Sequence, residues 1–228
     1  MEYKTLSLGI ALAFNLLFAS CGGQKNDQTD SNDSTQVVAV ALPELAEGDE
    51  VIVENEDVRI VERDLSTDDS PMRNSFEIQP KHTGMKNFKI EGSVLALEGL
   101  TGNVLVTSEG TGVVSTLWLY DMATGEVLVP VDMAFLSGTL EIQGGDALFF
   151  YSEEWDLPRI QWNEKKRVWE DANEVPDFLR NEQLKEAQQE VKDTLFEGLT
   201  LMALQKVKID LKERKVSRLE EYKWSYIE

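Results

Sequence analysis

The residues best suited to chemistry lie in the run FFYSEEWDLPRIQWNEKKRVWE, positions 149–170. Glu153, Glu154 and Asp156 flank Trp155, and Trp162 and Trp169 follow, so three of the chain's five tryptophans sit in one segment with several acids. Aromatic faces beside polar groups grip sugars, and glycoside hydrolysis needs only two carboxyls at a suitable separation. Trp155, Trp162 and Trp169 are therefore candidate ligand contacts, and Glu153, Glu154 and Asp156 candidate acid and base. The competing expectation is plainer. Aromatic residues favour strands and fill cores, so the tryptophans pack inside a sheet while the acids flank a turn at Pro158.

Other chemistries are excluded more firmly. His82 is the only histidine, which rules out a His-Glu-x-x-His zinc site, and it lies in a polar stretch with no supporting motif. No Gly-x-Ser-x-Gly elbow, Ser-x-x-Lys pair, phosphate-binding Gly-x-x-x-x-Gly-Lys loop or Gly-x-Gly-x-x-Gly fingerprint occurs. No cofactor and no metal site is expected. The 42 acidic against 22 basic residues give a net charge of −20. Such a chain is repelled by phosphate backbones, so nucleic acid is not a partner.

Cys21 is the single cysteine, and it stands between an apolar run and a polar one in LLFASCGGQK. Residues 1–20 carry Lys4, an apolar stretch from Leu6 to Phe18, then Ala19 and Ser20, the three-part layout of a secretory signal. Small residues before a cysteine resemble the lipobox of bacterial lipoproteins, although Phe18 replaces the usual leucine. The resemblance implies cleavage before Cys21, acylation of its thiol, and attachment to a bacterial envelope membrane through the acyl chains. Gly22 after the cysteine implies delivery to the outer membrane. Residues 22–36 contain no apolar side chain and are expected to form a disordered tether, reaching roughly 20–25 Å.

The remaining elements must position any site. The pattern after residue 36 predicts a single mainly β (α+β) domain over 37–228: an antiparallel meander or sandwich-like sheet with one amphipathic helix near the C-terminus. Glu50–Arg63 reads as a hairpin turning at Asn55-Glu56-Asp57, and 64–84 as a loop or subdomain boundary. From Phe88 short apolar runs alternate with Gly- and Asn-rich turns. Segments 117–129, 158–170 and 206–219 share a strand–turn–strand shape, which keeps propeller-like β blades as an alternative. Leu184, Ala187, Val191 and Leu195 fall on one face of a helix expected over about 177–197, and Tyr222, Trp224 and Tyr226 on one side of a final strand.

Together these features describe a lipid-anchored envelope protein whose β domain binds an envelope protein or a glycan, or serves as a structural part of a complex. A small glycosidase-like hydrolase using the carboxylates near Trp155 is the alternative.

Overall fold

The computed structural model describes residues 38–128, 133–154 and 156–227. The expected leader, Cys21, the tether and Trp155 lie outside the described residues.

Alternating apolar and polar side chains build two antiparallel sheets. The smaller runs β1 (Asp49–Glu54), β2 (Val58–Asp64), β3 (Arg73–Pro80) and β4 (Phe88–Ser93), in that spatial order. The larger has ten strands: β5 (Leu95–Thr101), β6 (Val104–Glu109), β7 (Val114–Asp121), β8 (Ala134–Leu136), β9 (Glu141–Gln143), β10 (Ala147–Ser152), β11 (Arg159–Asn163), β12 (Val168–Asp171), β13 (Thr200–Asp210) and β14 (Lys215–Ile227). Ile60, Phe76, Ile78 and Ile90 of the small sheet pack on Leu95 and Leu105 of the large one, which gives the expected sandwich-like contact. A second cluster fills one face of the large sheet, where Val106, Leu119, Phe135, Phe150, Val207 and Ile209 are fully buried. Phe135 and Phe150 meet edge to face, their centroids 6.0 Å apart.

The three look-alike segments do turn back on themselves: Tyr120 bridges Val127, β11 pairs β12, and β13 pairs β14. They do not form propeller blades. β10 and β11 lie end to end along one side of β13, and that shared partner fuses what would be separate blades into one continuous sheet.

The chain passes between the sheets at one residue. β4 ends at Ser93, β5 begins at Leu95, and Val94 between them has φ 53°, a left-handed conformation that a β-branched side chain resists. Its N–H donates to the carbonyl of Met72 at 2.8 Å, and Met72 is itself left-handed at φ 62°. Asn74 closes the corner. Its Nδ2 donates to the Leu95 carbonyl at 2.9 Å, and its Oδ1 accepts from the Leu95 N–H at 2.8 Å, so one side chain substitutes for a neighbouring strand. At Gly92 the packing is close: a Cβ would lie 2.8 Å from Leu95 Cδ2 and 2.9 Å from Glu109 Oε1, so those side chains would have to shift.

Two expectations are corrected. The stretch 64–84 contains β3, which pairs with strands on both sides and buries Phe76 and Ile78. Its polar residues concealed it, yet Asn74 and Gln79 hydrogen-bond rather than face open water: Arg59 Nε donates to Gln79 Oε1 at 2.7 Å. The helix is also shorter than 177–197. A 3-10 turn (Asp177–Leu179) precedes α1 (Glu182–Glu190), and Asn181 caps α1 by accepting from the Leu184 N–H at 3.3 Å. Thr194 turns its hydroxyl back onto the Val191 carbonyl beyond the helix. Of the expected stripe, Leu184 and Ala187 lie on α1, Val191 is its C-cap and Leu195 lies beyond it; the first three are buried, and Leu195 partly, with Leu201, Ala203 and Trp224, whose Nε1 donates to the Leu179 carbonyl at 2.9 Å.

Asn74→Ala leaves both backbone groups of Leu95 without this partner and should destabilise the chain by about 1–3 kcal/mol in urea unfolding. Val94→Gly relieves the left-handed turn and should cost nothing or stabilise. A corner that mattered little would show neither asymmetry.

Candidate functional site

The corner opens onto a cleft of about 840 Å³. The small sheet contributes Glu50, Glu62 and Asp64 to its walls, and the large sheet contributes Glu98 and Ser108. Neutral donors orient these carboxylates: Asn74 Nδ2 donates to Glu62 Oε1 at 2.6 Å, and Ser108 Oγ to Glu98 Oε1 at 2.6 Å. Ser66 holds the Asp64 carboxyl below its ordinary range, through its hydroxyl and then its backbone N–H. Arg73 is the one cation in the lining, and its guanidinium reaches Glu91 at 3.7 Å. Asn74 therefore joins the sheets and positions a cleft carboxylate with the same amide.

A second cleft, about 900 Å³, lies at the C-terminal end of β10. Glu153, Glu154 and Asp156 all line it, beside Val216 and Arg218 of β14. The structure thus brings the three sequence-predicted acids to one concavity, where Arg218 forms an ion pair with Glu154. Trp162 and Trp169 are elsewhere. They are cross-strand partners on β11 and β12, with centroids 5.6 Å apart and planes at 63°, and they pack against the cluster that holds α1. Both are half-buried there, and neither lines the second cleft. His82 is half-buried, its Nε2 3.3 Å from Asp57 Oδ1.

A third polar group occupies a sheet face. Tyr151 and Lys206 are cross-strand partners, and both donate to Glu221 Oε1, each at 2.8 Å. The Lys206 ammonium also lies 5.9 Å from the Phe149 ring centroid and 5.8 Å from that of Tyr151. Burial and then the hydrogen bond to Glu221 push the Tyr151 phenol up to about 12. Lys206 and then Tyr151 hold the Glu221 carboxyl below its usual range.

The corner cleft escaped sequence reasoning. Its carboxylates come from strands far apart in the chain, and no local motif links them; the alternation of Phe76 and Ile78 was the one signal that could have revealed β3 and hence the corner. No family model, curated protein or solved structure matches the chain.

Because the folded Tyr151 phenol titrates above its unfolded value, its contribution to stability is full below about pH 10. It is lost as pH rises toward 12. Tyr151→Phe should flatten this part of the stability–pH curve, measured by urea unfolding across pH 9–12. Superimposable slopes would show that burial and the Glu221 bond do not hold the Tyr151 phenol above its unfolded value.

Proposed function

We propose that this protein is a lipid-anchored component of a bacterial envelope whose β domain binds a protein partner without catalysing a reaction. Attachment rests on the sequence around Cys21, whose setting resembles a lipobox. Among the described residues no helix is long and apolar enough to cross a membrane. The observation that carries the binding role is the corner cleft, a concavity with oriented carboxylates from both sheets and no aromatic ring in its lining. Sugar sites typically present an aromatic face, so a polar protein surface fits this lining better than a glycan.

Crosslinking and pull-down of the full-length protein from its native membranes should recover a defined protein partner. The wild-type chain should incorporate a fatty-acid label that Cys21→Ala abolishes, and the variant should lose the partner with it. An unlabelled wild type removes the anchor from the reading, and absence of any protein partner removes the binding role.

The hydrolase alternative draws support from one observation, the convergence of Glu153, Glu154 and Asp156 on the second cleft. Glu153→Gln and Glu154→Gln should then each lower hydrolysis of an envelope glycan by at least about a hundredfold, the scale of a lost general acid or base. Unchanged biological function in both variants excludes it.

A further inference from the structure

An exposed apolar strip opens the described chain. Residues 38–43 read VAVALP and carry no charge, in a chain that is 28% charged. Val38, Val40 and Leu45 are three of the eleven large hydrophobic side chains exposed among the described residues, and the other eight are scattered along the chain. The strip is fixed through its backbone. Val40 N–H donates to the Lys81 carbonyl at 2.8 Å, Thr83 N–H to the Val38 carbonyl at 2.8 Å, and Val38 N–H to Thr83 Oγ1 at 3.0 Å. Arg59 fastens the Pro43 carbonyl with its Nη2. These backbone groups are thus satisfied within the fold, while the apolar side chains remain in water, where burying them would be favourable.

We propose that Val38, Val40 and Leu45 seat on the surface of the lipid bilayer that receives the acyl chains of Cys21. The inference rests on the anchor proposed above and adds a direct contact between the β domain and that membrane. Its warrant is the position of the strip along the chain. Residues 22–37 separate Val38 from Cys21 and can extend no further than about 60 Å. The strip is the first described part of the domain reached from the anchor, so a bilayer holding Cys21 meets it at high effective concentration. Contacts too weak to bind a free protein then suffice. Their chemistry is apolar rather than electrostatic. Lys81 is paired with Glu54, His82 lies beside Asp57, Glu44 stands in the strip itself, and the chain carries a net charge of −20. Anionic headgroups repel such a chain, whereas valine and leucine side chains enter the boundary of headgroups and acyl chains without a cation. A second copy is a poorer occupant, because three side chains fall far short of the roughly 1,200 Å² that a stable protein interface buries.

The test uses the full-length acylated protein in phosphatidylcholine vesicles. With Cys21 acylated, a cysteine introduced on the domain is the one thiol open to a fluorescent label. Glu44→Cys puts the label in the strip, and Glu213→Cys puts it at the turn between β13 and β14; both positions are exposed. Lipids carrying a nitroxide just below the headgroup should quench the strip label at least about threefold more than the turn label. Val38→Asp/Val40→Asp/Leu45→Asp should bring the strip label down to the level of the turn label, with fatty-acid incorporation at Cys21 unchanged. Val40→Ser alone, which adds no charge, should give an intermediate loss. Equal quenching of the two labels in the wild type, or strip quenching that persists in the triple variant, would overturn the inference and leave the anchor standing. So would shielding of the strip label in detergent that grows with protein concentration, which assigns the strip to a second copy. A wild type that incorporates no fatty acid removes the anchor reading, and the inference falls with it.

Discussion

The pairing of Asn74 with the backbone of Leu95 is the constraint on which the rest of the molecule depends. Two sheets can share a core only if the chain moves from one to the other without leaving backbone groups unpaired. Here the transfer takes a single residue, Val94, in a conformation that costs of order 1–3 kcal/mol for a non-glycine side chain. Reciprocal hydrogen bonds from Asn74 and the Val94–Met72 backbone bond hold that strained residue in place. Once the corner is set, Leu95 falls beside Ile60, Phe76 and Ile78, and the core between the sheets closes. The corner also brings Glu62 and Glu98 to the walls of one cleft, though they are far apart in sequence.

Charge is distributed to the same effect. The β13–β14 hairpin carries Lys206, Lys212, Arg214 and Arg218, and each reaches an acid outside its own turn: Glu221, Asp146, Asp121 and Glu154. Individually, exposed pairs of this kind contribute little to stability. Their consequence is one of placement. In a chain with nearly twice as many acids as bases, the hairpin's cations are held by these acids, and Arg73 is the one cation among the residues that line the corner cleft.

Much of the fold was legible because its signals are local. The Asn55–Asp57 hairpin, the meander after Phe88, the stripe of Leu184, Ala187 and Val191, and the shared face of Tyr222, Trp224 and Tyr226 all follow from periodicity and turn chemistry. The missed strand shows where such reading stops. In β3 the flanking Ser-Thr-Asp-Asp-Ser-Pro composition signals a loop, while tertiary pairing to β2 and β4 decides the structure. The helix ends were illegible for a related reason: Asn181 captures the N-terminus although Pro176 and Asp177 offer an earlier start. As for the sites, one local cluster of acids does converge on a cleft, whereas the corner carboxylates meet only through strand order.

The two clefts therefore differ in what they can do, and the difference lies in how their acids are held. In the second, Glu154 already has a cation in Arg218, so that part of its lining is electrostatically satisfied from within the fold. In the corner, the neutral Asn74 and Ser108 orient Glu62 and Glu98, and the cation of the lining, Arg73, reaches Glu91. A neutral donor fixes a carboxylate's direction without cancelling its charge, so these two side chains are already ordered in the folded chain. If Cys21 anchors the chain as proposed, a partner in the same membrane is met at high effective concentration, and modest affinity is then sufficient.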